Sequence, residues 1–95
     1  MITRTRLAGY HLPSVQYDSD DGRRLAGLDV PGMSDREIYA EGTRLGAALA
    51  YAIATDYRGT LETCTAPYYI PVIEWLERRM RLVQAEIRKR KGSHR

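Results

Sequence analysis

Ninety-five residues are enough for one domain with a modest core, but so short a chain buries a limited share of its surface, so a partner subunit would help it. With 43% hydrophobic and 28% charged residues, the composition predicts a folded chain rather than a disordered one. The formal charge of +3 is unevenly spread: residues 1–77 carry seven Arg against eleven Asp and Glu, a net −4, whereas residues 78–95 carry eight Lys and Arg against Glu86 alone, a net +7.

The charge-free run at 45–55 falls well short of the roughly 20 apolar residues of a membrane span, so no transmembrane helix is expected. Arg4 and Arg6 are not followed by an apolar stretch of signal-peptide length, and Cys64 is the sole cysteine. Both features point to a reducing cytoplasm. Thirteen arginines against two lysines, with no Phe and no Asn, match avoidance of AT-rich codons and suggest a bacterium or a phage. The same bias weakens any claim that arginine was selected over lysine for phosphate contacts.

Residues 1–31 carry strand signals. Val15 and Tyr17 alternate with polar neighbours, Asp21-Gly22 is a hairpin dipeptide, and Leu28 and Val30 alternate after it, which predicts a β-hairpin turning near Asp20, Asp21 and Gly22. Pro13 puts the first of these strands at an edge or after itself, and residues 2–7 offer a further strand.

Ser34-Asp35-Arg36-Glu37 is a capping box, flanked by Met33 and Ile38 at hydrophobic-staple positions, so a helix should start at Asp35. Ile38, Leu45, Leu49 and Ile53 recur at helical spacing, and Gly59 supplies a stop, which predicts a helix over 35–58. Gly42 and Gly46, among many alanines, suggest close approach by another backbone, since glycine costs about 1 kcal/mol relative to alanine inside a helix.

Residues 59–66 read as a linker. A second helix is expected over 67–91, kinked at Pro71 or starting there, with a basic tail at 92–95. Ile73, Leu76, Met80, Val83 and Ile87 step by three and four, a heptad seam that serves an antiparallel helix hairpin or a dimer. The fold class expected is therefore α+β, a single domain with an N-terminal β-hairpin followed by two long antiparallel α-helices.

The basic C-terminal segment is the main candidate binding feature, comprising Arg78, Arg79, Arg81, Arg88, Lys89, Arg90 and Lys91. Part of it has a structural explanation, because Glu74 with Arg78, Glu77 with Arg81 and Glu86 with Arg90 are favourable i,i+4 pairs, and cations suit a helix C-terminus. Trp75 one turn before Arg79 could stack on a base or pack in the core; Tyr68 and Tyr69 are further aromatic contact candidates.

Chemistry-bearing constellations are sparse. The run Asp18-Ser19-Asp20-Asp21-Gly22 fails the EF-hand spacing, since a loop begun at Asp18 would place Gly22 and Arg23 where an acidic residue and glycine belong. His11, His94 and Cys64 lack zinc-ligand spacing, and there is no phosphate-binding glycine loop, dinucleotide fingerprint or nucleophile elbow. Neither a metal nor a cofactor is expected, and the chain is not expected to be an enzyme. Two readings follow: a non-catalytic protein-interaction module, acting on a protein partner or a second copy, or a nucleic-acid binder using its basic helix on phosphates.

Overall fold

In the computed structural model, residues 6–14, 19–63 and 68–92 are described. Strands β1 (Arg6–Leu7) and β2 (Tyr10–His11) form an N-terminal antiparallel hairpin. Helix α1 (Ser19–Ala26) and a 3-10 turn at Val30–Gly32 lead into the long helix α2 (Asp35–Ala54). Strands β3 (Thr60–Glu62) and β4 (Tyr69–Pro71) pair antiparallel, and helix α3 (Val72–Gly92) follows at once. The architecture is α+β, with an N-terminal hairpin and two long helices packed antiparallel, the end of α3 lying against the start of α2. No helix among the described residues is long and apolar enough to cross a membrane.

The hairpin does not sit where the Asp21-Gly22 dipeptide predicts. Its turn is Ala8-Gly9, with φ of 50° and 81°, the pair of positive values that a two-residue type I′ turn requires. Asp20, Asp21 and Gly22 instead lie in α1, with Asp20 and Asp21 in the first turn and Arg23 and Arg24 in the last, both in the sense that favours the helix dipole. Asp21 is buried and accepts a hydrogen bond from the Ser14 backbone N–H at 3.0 Å, a tertiary role no local signal announces. Leu28 and Val30 belong to the turn after α1 rather than to a strand. The strand expected at Val15 and Tyr17 lies outside the described residues.

The capping box forms as the sequence predicts. Glu37 donates its backbone N–H to Ser34 Oγ, and Ser34 returns its own N–H to Glu37 Oε1, both at 3.1 Å. The Ser34 backbone N–H, and then its hydroxyl, favour the Glu37 carboxylate and lower its pKa. Ser34→Ala is expected to lower stability by about 1 kcal/mol, read as a fall of roughly 4–8 °C in Tm by circular dichroism.

Helix α2 ends at Ala54, earlier than the 58 that Gly59 suggests. Asp56 takes φ 51°; its N–H donates to the Ile53 carbonyl and that of Tyr57 to the Ala52 carbonyl, which is a Schellman cap with aspartate in glycine's usual place. The expected linker contains β3, and Pro71 closes β4 by pairing with Thr60, so α3 begins at Val72, beyond the proline and not at 67, and continues unbroken to Gly92.

Ile38 and Leu45 on α2 and Leu76 and Val83 on α3 form the centre of the core, with Leu49, Ile73, Met80 and Ile87 partly buried around it. Ile53, expected inside, is 61% exposed; Ala48 and Ala52 take the buried positions in that half of α2. Gly42 and Gly46 face side chains rather than backbone. A Cβ at either would rest at ordinary contact distance, 3.5 Å from Val83 Cγ1 or 3.6 Å from Met80 Cε.

Candidate interaction surface

The bulkiest fully buried side chain is Arg79, 2% exposed in the middle of α3. A guanidinium cannot leave water without partners on each side. Asp29 receives it in a two-pronged pair, Nη1 to Oδ1 at 3.0 Å and Nη2 to Oδ2 at 2.6 Å. Arg79 Nε donates to Glu41 Oε2 at 2.7 Å, and Tyr10 Oη donates to the same oxygen at 2.6 Å. Four elements of the chain thus converge on one cation: β2, the turn after α1, α2 and α3.

The electrostatics follow from this closure. Burial pushes the Tyr10 phenol up to about 12, with Glu41 adding to the effect and Arg79 opposing it. At Asp29 burial favours the neutral acid, but the Arg79 hydrogen bonds and charge outweigh it and hold the carboxyl below its usual range. Burial likewise opposes the Arg79 cation, yet Asp29 and Glu41 overcome that and raise its pKa further. Among the described residues no buried side-chain nitrogen or oxygen lacks a hydrogen-bond partner. A hollow of about 340 Å³ over this network, edged by His11 and Arg44, therefore has a floor whose polar atoms already satisfy one another.

The network also docks α1. The last carbonyls of a helix have no partner within it. Here Arg79 Nη1 donates to the Arg24 carbonyl at 3.3 Å and Trp75 Nε1 to the Leu25 carbonyl at 3.2 Å, so two α3 side chains finish the end of α1. Gly27 then turns the chain at φ 76°, and a Cβ there would lie 2.5 Å from Leu82 Cδ1. Between the end of α1 and α3 runs a groove of about 280 Å³ of mixed lining, Leu25, Ala26, Ile70, Trp75 and Leu82 together with Arg24, Arg78 and Arg79.

The seven basic residues singled out by sequence do not act as one patch. Arg79 is internal. Arg90 is drawn to Asp35 at 3.0 Å and Glu86 at 3.1 Å, tying the end of α3 to the start of α2. Arg78 is exposed and pairs with Glu74. Arg81, Arg88, Lys89 and Lys91 are exposed and form no ion pair with another described residue, so the expected pairing of Glu77 with Arg81 is absent. Trp75 is 3% exposed with its indole N–H engaged, which removes it as a stacking platform; its ring instead lies 5.5 Å from the Arg79 guanidinium. Tyr68 and Tyr69 are exposed just ahead of the groove residue Ile70.

Among the described residues no group of three or more His, Cys, Asp and Glu is placed to hold a metal ion. Cys64 and His94 lie outside the described residues. No family model matches the chain, and no curated protein and no solved structure matches it either, so the surface is read from its own geometry.

Proposed function

We propose that this chain is a small non-catalytic interaction module, of bacterial or phage origin, that engages an acidic face of a protein partner through α3 and the groove beside it. The observation that carries this reading is the solvent side of α3. Arg78, Arg81, Ala85 and Arg88 follow one another by three, four and three residues, so they share one face over about 15 Å, with Lys89 on its flank. Leu82 stands 46% exposed beside this stripe, where it lines the groove between α1 and α3. A partner presenting an apolar side chain flanked by carboxylates fits both features. Arginine-rich composition and a single cysteine support the origin and a reducing cytoplasm.

The alternative is a nucleic-acid binder, favoured by the same stripe together with exposed Tyr68 and Tyr69. Salt separates the two. Neutralising four phosphates predicts an affinity that falls about 100-fold between roughly 50 and 200 mM salt. The test titrates the protein against a synthetic helical peptide of leucine and glutamate, and against labelled DNA and RNA, beside an Arg81→Glu/Arg88→Glu/Lys89→Glu variant. Peptide binding that survives near-physiological salt and disappears in the variant supports the protein reading. Steeply salt-dependent nucleic-acid binding alone moves the assignment to the alternative, and equal binding by the variant removes α3 from either.

A further inference from the structure

We infer that the hollow of about 340 Å³ over Tyr10, Glu41 and Arg79 is a binding site for a free α-amino acid, with the ligand's ammonium on Glu41 and its carboxylate on Arg44. The basic stripe of α3 takes no part. Small-molecule sites run from roughly 300 to 1,000 Å³, so this one has room for a single small ligand. Charge sets the first requirement. Beneath the hollow two carboxylates, Asp29 and Glu41, share one guanidinium, that of Arg79, and the Tyr10 phenol is neutral. Arg24, another cation of the wall, is committed to Asp21 at 3.8 Å and to the His11 carbonyl at 2.8 Å. One negative charge is left over, and it has an outlet. Asp29 spends both oxygens on Arg79, whereas Glu41 spends only Oε2, on Arg79 and Tyr10. Every sealed side-chain polar atom among the described residues has a partner; Glu41 Oε1 has none among them, so it is not sealed and opens to the hollow. A carboxylate oxygen without a donor, on a buried residue, calls for a cationic donor, which an ammonium supplies.

Arg44 sets the second requirement. It lines the same hollow one turn along α2 from Glu41, a spacing of about 5–6 Å between Cβ atoms at which an acid and a base ordinarily pair. Here they do not. Arg44 is exposed and forms no ion pair with another described residue, while Tyr10 and Arg79 hold the Glu41 carboxylate inward. An acid and a base kept side by side but apart match a ligand whose ammonium and carboxylate leave the same carbon. A simple anion such as phosphate would meet the Glu41 carboxylate, and a simple amine would leave Arg44 unanswered. Met33, partly buried, also lines the hollow and offers an apolar contact to the ligand's side chain, which makes leucine the probe of choice.

The test titrates the full chain by calorimetry, near pH 7 and at low salt, with leucine, leucinamide and N-acetylleucine. Leucine should bind. Leucinamide lacks the carboxylate and N-acetylleucine the ammonium, so each should bind about 10–100-fold more weakly, the worth of one charged hydrogen bond. Arg44→Gln, an exposed change that leaves the buried network intact, should lower leucine affinity to that of leucinamide without altering leucinamide binding. Glu41→Gln should do the converse, bringing leucine down to N-acetylleucine; circular dichroism checks its fold, and Arg44→Gln decides alone if it does not fold. No binding of leucine at millimolar concentration overturns the inference. So does either analogue binding as tightly as leucine, which would make this a site for an amine or an anion alone, and so does undiminished leucine binding by Arg44→Gln.

Discussion

Arg79→Met is expected to destabilise the chain by about 3–5 kcal/mol, measured as a drop in the urea midpoint at unchanged slope. Methionine nearly fills the volume, so the loss is electrostatic. Asp29 and Glu41 would keep their charges while losing the cation, and the Arg24 carbonyl would be left with the Gly27 backbone N–H at 3.1 Å while the Leu25 carbonyl keeps its Trp75 contact. Against the roughly 5–15 kcal/mol that holds a domain together, that loss is a large fraction. Glu41→Leu in the Arg79→Met background should recover part of it, because a buried carboxylate without a cation costs more than an apolar side chain in its place. If the double variant is as unstable as the sum of the two single ones, the pair is not coupled as its 2.7 Å contact implies.

Alkaline pH should expose the same network through Tyr10. Its folded pKa is raised to about 12 from 10.0 by burial first and by Glu41 second, so the folded state holds the phenol proton more tightly than the unfolded chain does. The associated stability is complete below pH 10. As pH rises from about 10 towards 12 the unfolded chain has lost the proton while the folded one keeps it, and stability falls by about 2–3 kcal/mol. Denaturation curves across this range, compared with Tyr10→Phe, isolate the effect from the other tyrosines. The variant should lose the extra alkaline slope, and an identical slope in both proteins would place Tyr10 outside the network.

Both predictions bear on the proposed function because the network holds the groove beside α3 together. Arg79 and Trp75 hold the end of α1 against α3, and the apolar lining at Leu25, Ala26 and Leu82 exists only while α1 stays there. Arg81 and Arg88, which form no ion pair among the described residues, then project from the opposite side of α3, where they cost the fold little. A division of labour emerges within one helix. Arg79 and Arg90 hold the tertiary structure together, while Arg81, Arg88, Lys89 and Lys91 are exposed and form no ion pair with another described residue.

That division was partly readable in advance. Ile38, Glu41 and Leu45 on α2, and Leu76, Arg79 and Val83 on α3, share the same three-then-four spacing, with an acid and a base in the middle of two apolar stripes. Opposite charges at matching places on two facing helices are the signal for a buried pair. It was obscured because Arg79 also belongs to a run of cations, and a count of charge does not distinguish the side of a helix that faces inward. Tyr10 and Asp29 left no such trace, since Tyr10 sits on a strand of two residues, too short to show a period, and Asp29 in the turn after α1.

What the amino-acid order determines by itself are the features closed within a turn or two. The start of α2 follows from Ser34 and Glu37 capping each other, and the helical character of both long segments from their apolar spacing. These depend on groups three or four residues apart, which meet whatever the rest of the chain does. The sequence leaves the second helix spanning 67–91 with a kink or a start at Pro71, and the pairing of β4 with β3 moves its start to Val72. Only the tertiary structure decides the position of the hairpin at Ala8-Gly9, the helical fate of Asp21-Gly22, the burial of Arg79 and Trp75 and the exposure of Ile53. Tyr10 meets Glu41 across 31 positions and Arg79 across 69, and the desolvation that settles each of these outcomes exists only once those distant groups share one interior.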